Sequence, residues 1–258
     1  MSDEPGLPLS GEPSSPEEYP APLPEPERTP FWSWGDVLVV VGLAIPCNLL
    51  GFALVEALFW VLHFHPALAT WSLVASQIAF YGLLFGVVRA LFRLKYDRPF
   101  WHSLGWTPSG VSPLMVLSGG VALVFGLNLL GVAIRAPRVD NPMTELLKDP
   151  TSMVLMAIFG SVAAPVFEEL LFRGFLQPLM SRTLRVAAGI AGTAVLFGML
   201  HFREYGNSWR HVLLISISGV VFGWVRHSTG STKAAAGMHA CFNGFQFVML
   251  LMAKHFVR

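Results

Sequence analysis

Seven long apolar segments, separated by short polar connections, dominate the sequence. They lie roughly at 36–62, 67–92, 112–134, 152–177, 186–202, 211–226 and 232–252. A helix needs about 20 mostly apolar residues to cross the hydrocarbon core of a bilayer, and each segment is near or above that length. Only 13% of the residues are charged, which is about half the fraction found in soluble domains. The sequence therefore predicts an all-α fold, a polytopic transmembrane helical bundle of about seven to eight helices.

The first 30 residues differ from the rest of the chain. They contain nine prolines, and seven carboxylates against a single arginine. Such a segment cannot bury enough apolar surface to offset the entropy lost on ordering, so we expect a disordered acidic tail. Trp32 and Trp34 follow it and are typical of the aromatic belt at a membrane surface. The remaining chain is net basic, which suits loops facing anionic lipid and does not indicate nucleic-acid binding.

Ionisable residues interrupt the fourth apolar segment at FEELLFRGFLQ, residues 167–177. Charged groups inside a bilayer are costly and usually have a function. Glu169 and Arg173 are four residues apart, a spacing that places both on one face of a helix. Glu168 is rotated from Glu169 by about 100°. We therefore expect Glu169 and Arg173 to pair and to stabilise the helix, which leaves Glu168 available for chemistry.

The fifth and seventh segments carry polar residues at the same spacing. Phe197 and His201 are four apart in FGMLH, and His239 and Asn243 are four apart in HACFN. A carboxylate in an apolar cavity is a better base near neutral pH than one in water, because desolvation disfavours its charged form. Glu168 with His201 can then deprotonate a water, while His239 and Asn243 donate hydrogen bonds to the oxyanion of an attacked amide. These are the parts of a water-activating peptidase.

Structural interpretations of the same residue types remain open. A buried Glu–Arg pair often only holds a helix, and an intramembrane Asn often joins two helices. Glu56 and Asn48 fit that structural interpretation, and His211 at a helix end is expected to be interfacial. Intramembrane Glu and His also relay protons in transporters. Transporters are commonly built from paired repeats, whereas the polar residues here are concentrated in the C-terminal half.

At these positions the sequence resembles the CPBP family of intramembrane glutamic endopeptidases, also called the CAAX prenyl protease or Abi family. The family pattern is EExxxR, then FxxxH, then HxxxN, on separate membrane helices. It is matched here by EELLFR at Glu168 to Arg173, by FGMLH at Phe197 to His201, and by HACFN at His239 to Asn243. All three motifs are present in order, and the resemblance covers roughly residues 112–252.

The resemblance implies a role for each motif residue. Glu168 would activate water with assistance from His201, and His239 and Asn243 would form the oxyanion hole. The remaining motif residues would give structural support: Glu169, Arg173 and Phe197. The chain would divide into the tail at 1–30, N-terminal transmembrane helices and a basic loop at 31–111, and a CPBP/CAAX-protease-like catalytic membrane domain at 112–258.

The resemblance also implies a substrate class. The substrate would be a membrane-associated or CaaX-like protein or peptide in contact with the lipid bilayer. The compact chain and its acidic Pro-rich tail suggest an integral, multi-pass protein of the bacterial inner membrane. No cofactor is expected, although Glu, His and His can ligate zinc, so a zinc-dependent version of the protease is an alternative. The other alternative is a non-catalytic scaffold or regulator of a partner membrane protein, of the bacteriocin-immunity type.

Overall fold

A computed structural model describes residues 29–64, 69–137, 139, 146 and 148–256. Within those residues the chain is helical and contains no strands. The helices are α1 (Trp34–Val61), α2 (Ala69–Tyr96), α3 (Phe100–Ser103), α4 (Pro113–Ala133), α5 (Pro150–Leu184), α6 (Val186–Leu200), α7 (Trp209–Thr229) and α8 (Thr232–Phe256). The tail predicted at 1–30 lies outside the described residues, apart from Thr29 and Pro30.

The described helices include six that are long and apolar enough to cross a membrane: α1, α2, α4, α5, α7 and α8. The apolar α6 is shorter, with 15 residues. Every predicted span therefore has a helix, which confirms the all-α polytopic bundle, and the protein is an integral multi-pass membrane protein. The short α3 was not predicted, and α5 extends to Leu184, beyond the end predicted at 177.

Apart from the short α3, each helix runs antiparallel to the helix before it. Asp36 near the start of α1 contacts Lys95 near the end of α2. Thr70 at the start of α2 donates a hydrogen bond of 2.7 Å to Ser152 at the start of α5, so α2 and α5 are parallel. We call the face at which α2, α5 and α7 begin the open face. The opposite face, at which α1 begins, is called the anchor face.

The segment before α1 is fastened to the end of α5 on the anchor face. Trp32 is buried, and its indole N–H donates to the Phe175 carbonyl at 3.0 Å. Its ring is stacked on the ring of Phe175, with the centroids 5.6 Å apart. Arg182 donates to the carbonyls of Pro30 and Trp32. The aromatic core between α2 and α5 therefore takes in the ring of Trp32. Trp34, by contrast, is 40% exposed.

A buried carboxylate caps α1 on the same face. Asp36 accepts hydrogen bonds from the Ser33 backbone N–H at 2.8 Å and from the Ser33 hydroxyl at 2.9 Å. From α2, Lys95 Nζ lies 2.6 Å from Oδ1, and the Tyr96 hydroxyl lies 2.5 Å from Oδ2. An acidic side chain in the first turn also interacts favourably with the helix dipole. We call these four residues the anchor cluster.

Helix α5 contains two wide turns of π-helix, at Phe159–Ala163 and Leu170–Leu176. Pro165 and Pro178 follow them. A proline has no N–H to donate to the carbonyl four residues earlier, and it crowds that carbonyl. Those carbonyls belong to Ser161 and Gly174, and each lies inside a wide turn. Single π-turns are frequent at functional sites, and here they flank the two adjacent glutamates.

Candidate active site

The first motif forms a closed ion pair inside the bundle. Arg173 Nη1 donates to Glu169 Oε1 at 2.8 Å, and both side chains are fully buried. The expected contact between these two residues is therefore present. Arg173 Nη2 donates to the Gly219 carbonyl on α7 at 3.0 Å. The guanidinium carbon lies 4.6 Å from the ring centroid of Phe197 on α6. Arg173 thus joins α5, α6 and α7.

The same carboxylate fixes the ring of His239. Glu169 Oε1 accepts a second hydrogen bond from His239 Nδ1 at 2.9 Å, and the imidazole is stacked on Phe222 with centroids 4.5 Å apart. With its proton on Nδ1, the neutral ring presents Nε2 as an acceptor. His239 Nε2 lies 3.8 Å from Glu168 Oε2. The expected oxyanion role of His239 therefore requires the doubly protonated ring.

The second motif places His201 at the C-terminal end of α6. His201 Nδ1 lies 2.8 Å from the Phe197 carbonyl oxygen. Because a carbonyl only accepts hydrogen bonds, Nδ1 carries the proton and Nε2 keeps a lone pair. The Phe197 ring lies edge-on to His201 and to His239, with centroid separations of 4.8 and 5.9 Å. Phe197 thus contacts both imidazoles.

The third motif ends on Asn243, which faces the first wide turn of α5. Its Nδ2 donates to the Gly160 carbonyl at 2.7 Å. Wide turns leave carbonyls without their usual helical partner, and Asn243 satisfies this one. A primary amide has two N–H donors. One N–H of Asn243 is therefore committed to Gly160, and the other is left for a further acceptor.

A cavity of about 1140 Å³ brings these residues together. Glu168, His201, His239 and Asn243 all line it, and so does Phe197. The side chain of Glu168 is 21% exposed, whereas that of Glu169 is fully buried. The cavity continues toward the open face between apolar residues of five elements: Leu73, Leu127, Met156, Leu214 and Leu250. Only one of the two adjacent glutamates therefore faces the cavity, as the helical rotation predicts.

Several polar cavity residues carry no spacing signal in the sequence. They are Gln77, Tyr81, Asn128, Glu204, Tyr205 and His211. His211 was expected to be interfacial, but tertiary packing brings it into the cavity wall, with its ring stacked on Tyr205 at a centroid separation of 5.0 Å. Burial, and then the carboxylates of Glu204 and Glu168, raise the pKa of the Tyr205 hydroxyl to about 12. That hydroxyl keeps its proton and is a hydrogen-bond donor at neutral pH.

The zinc alternative needs at least three ligands directed at one point. In the part of the chain that the structure describes, no group of three or more His, Cys, Asp or Glu side chains has that arrangement. The described residues do not fit a zinc site, and we derive no step through a metal.

Comparison with known proteins supports a peptidase. Residues 150–245 match the family model described as "Rce1-like: Type II CAAX prenyl endopeptidase Rce1-like". The matched region runs from the start of α5 into α8 and contains all three motifs. No curated protein and no solved structure matches the chain. The region at 150–245, which includes Glu168, His201, His239 and Asn243 of the cavity lining, is thus similar to the CAAX protease family of membrane peptidases.

Proposed function

We propose that this protein is an intramembrane endopeptidase in which Glu168 activates water to hydrolyse a peptide bond. One observation carries the proposal: Glu168, His201, His239 and Asn243, from three helices, line a single cavity. The adjacent Glu169 is buried against Arg173 and faces away from that cavity. In this proposal the first motif provides Glu168 for chemistry and Glu169 for structure.

The proposed reaction begins with a water between Glu168 and the substrate carbonyl. Glu168 takes a proton from the water while the water oxygen bonds to the carbonyl carbon. His201 Nε2 accepts a hydrogen bond from the same water and holds it in place. When the C–N bond of the resulting tetrahedral intermediate breaks, Glu168 returns the proton to the leaving nitrogen.

The oxyanion of that intermediate needs hydrogen-bond donors in fixed positions. Asn243 contributes the N–H that Gly160 does not use. His239 contributes Nε2–H when its ring carries a second proton. Glu169, Arg173 and Phe197 orient these groups without contacting the substrate.

The cavity and the family description both support the proposed substrate class. The cavity combines a polar end at Glu168 with apolar walls that lead to the open face, a lining that suits an extended peptide segment of a membrane-associated protein. The family description adds a CaaX-like peptide as a candidate. The protein's proposed location is the bacterial inner membrane, and the proposed chemistry needs no cofactor.

The test compares protein termini in membranes. The wild type and Glu168→Gln are expressed at matched levels in a host lacking the gene, and new termini in the membrane fraction are identified by mass spectrometry. Termini that depend on the wild type are expected to disappear in Glu168→Gln, because glutamine keeps the size of the side chain but not its basicity.

The matched control is Glu56→Gln, which makes the same change on α1, outside the cavity lining. It should produce the wild-type termini. Identical termini with the wild type and Glu168→Gln, together with a phenotype that both rescue, would contradict the proposal and support the scaffold or regulator of a partner membrane protein.

A further inference from the structure

Building on the proposed function, we propose that Tyr81 on α2 is a further catalytic residue, whose hydroxyl donates a hydrogen bond to the oxyanion formed in the cavity. Tyr81 lies outside the three motifs and outside the matched region at 150–245. The placement of its ring, the lining of the cavity and the donors available near Glu168 each support this role.

The motif residues around Glu168 offer too few hydrogen-bond donors for the oxyanion. His239 commits Nδ1–H to Glu169, so its neutral ring offers only an acceptor at Nε2. Asn243 commits one of its two N–H groups to Gly160. An oxyanion hole usually combines two or more donors. The described motif residues thus offer one donor in the neutral state of the site, and Tyr81 supplies a second.

Tyr81 is held in place by the two parts of α5 that carry the site. Its ring is stacked on Phe167 with centroids 4.5 Å apart and on Phe159 with centroids 6.4 Å apart. Phe167 directly precedes Glu168, and Phe159 directly precedes Gly160, the acceptor for Asn243. The Tyr81 ring therefore packs on two residues of α5: the one that precedes the proposed base, Glu168, and the one that precedes Gly160, to which the proposed amide donor is bound.

Tyr81 belongs to the lining of the cavity, together with Gln77 and Glu168. Gln77 lies one helical turn earlier on α2. When the Gln77 amide donates to the phenol oxygen, the phenol proton is left for an acceptor in the cavity. A phenol can donate to an oxyanion in a water-poor site, where such a bond is strongest.

The test uses Tyr81→Phe, which removes the hydroxyl and keeps the stacked ring. The probe is an internally quenched peptide that spans a cleavage site identified by the comparison of wild-type and Glu168→Gln membranes. We expect kcat to fall roughly 10²- to 10³-fold, the usual effect of losing one oxyanion donor. KM should change little, because the bond is made only as charge develops on the oxygen.

Tyr96→Phe is the matched control on the same helix. The Tyr96 hydroxyl donates to Asp36 on the anchor face, so its loss is expected to lower the unfolding temperature in detergent and to leave kcat unchanged.

Gln77→Met tests independently whether Gln77 orients the Tyr81 hydroxyl. It keeps the Tyr81 hydroxyl but removes the amide beside it, so kcat should fall by less than in Tyr81→Phe.

The possible results separate the two proposals. If the wild type and Glu168→Gln act equally on the peptide, the proposed function fails and the role of Tyr81 fails with it. If only Glu168→Gln is inactive and Tyr81→Phe keeps the wild-type kcat, the oxyanion role of Tyr81 alone is overturned. A higher KM at unchanged kcat also overturns it, because it assigns Tyr81 to substrate binding.

Discussion

Two ionic clusters among the described residues, one at the anchor face and one beside the cavity, differ in how completely their buried polar atoms are satisfied. In the anchor cluster, both Asp36 oxygens have partners: Lys95 binds one, and Ser33 and Tyr96 bind the other. In the cluster at the cavity, Glu169 Oε2 and Arg173 Nε are buried with no hydrogen-bond partner among the described residues. The anchor cluster, whose carboxylate is fully hydrogen-bonded, joins the ends of α1 and α2. The cluster of Glu169 and Arg173 lies beside a cavity and can still form further hydrogen bonds.

This difference suggests that the charges of the anchor cluster stabilise the fold, whereas those beside the cavity support the proposed chemistry. Residues of the anchor cluster are absent from the cavity lining, whereas His239, which Glu169 holds, lies in it. Unsatisfied buried polar atoms cost free energy and persist where a function retains them. Three substitutions, in order of decreasing effect, test this division.

Arg173→Met should have the largest effect on stability. Methionine fills a similar volume but leaves Glu169 as a buried carboxylate without its ionic partner, a change that commonly costs about 3–5 kcal/mol. The free energy of unfolding in detergent, measured by denaturant titration, should fall by that amount, and cleavage should be lost because His239 is no longer held. Unchanged stability would mean that Arg173 stabilises neither the buried carboxylate of Glu169 nor the contact between α5 and α7.

The double variant Glu169→Gln with Arg173→Met sharpens this prediction. Removing both charges leaves no uncompensated ion, so part of the lost stability should return, while cleavage should stay low. Equal destabilisation in the single and double variants would contradict a coupling between the two side chains.

Asp36→Asn should have an intermediate effect on stability. It replaces a carboxylate with an amide whose N–H groups meet the donors of the anchor cluster, and an unsatisfied buried group costs about 1–3 kcal/mol. The unfolding free energy should fall, while kcat per folded molecule stays at the wild-type value. A fall in kcat with unchanged stability would show that the two clusters are coupled through α2.

Lys95→Met should have the smallest effect. The side chain of Lys95 is 54% exposed, so water screens its charge and replaces part of what it contributes to Asp36. We expect a slight decrease in unfolding temperature, a weaker dependence of that temperature on salt, and unchanged cleavage. A loss of stability as large as that of Asp36→Asn would mean that Lys95 provides most of the stabilisation in the anchor cluster.

The sequence predicted the helices well because apolar length is a strong signal. Each of the seven predicted segments is a helix, and the i, i+4 spacing correctly paired Glu169 with Arg173. The spacing also identified residues that share a cavity, although the roles of Glu168, His201, His239 and Asn243 stay predictions. Helical periodicity places side chains on one face, and consecutive spans pack against each other.

What the sequence did not predict depends on tertiary packing. Tyr81 stands in an apolar helix with no motif around it, and only the parallel packing of α2 on α5 brings it to Phe167. The burial of Trp32 was not predicted either, because the pocket that takes its ring is formed by Phe92 and Phe175, far away in the chain. The wide turns of α5 depend on which carbonyls find partners outside the helix, and local propensity does not report that.

The alternation of helix direction determines from which compartment the protein can be reached. The cavity is lined by the ends of helices at the open face, while Pro30 and Trp32 are fastened to α5 at the anchor face. A reagent that cannot cross the bilayer therefore reaches the exposed Thr29 and Ser33 from one side of the membrane and the 201–208 loop from the other. A peptide that enters through the mouth of the cavity and a protein that contacts the anchor face would belong to different compartments, whichever way the chain is inserted.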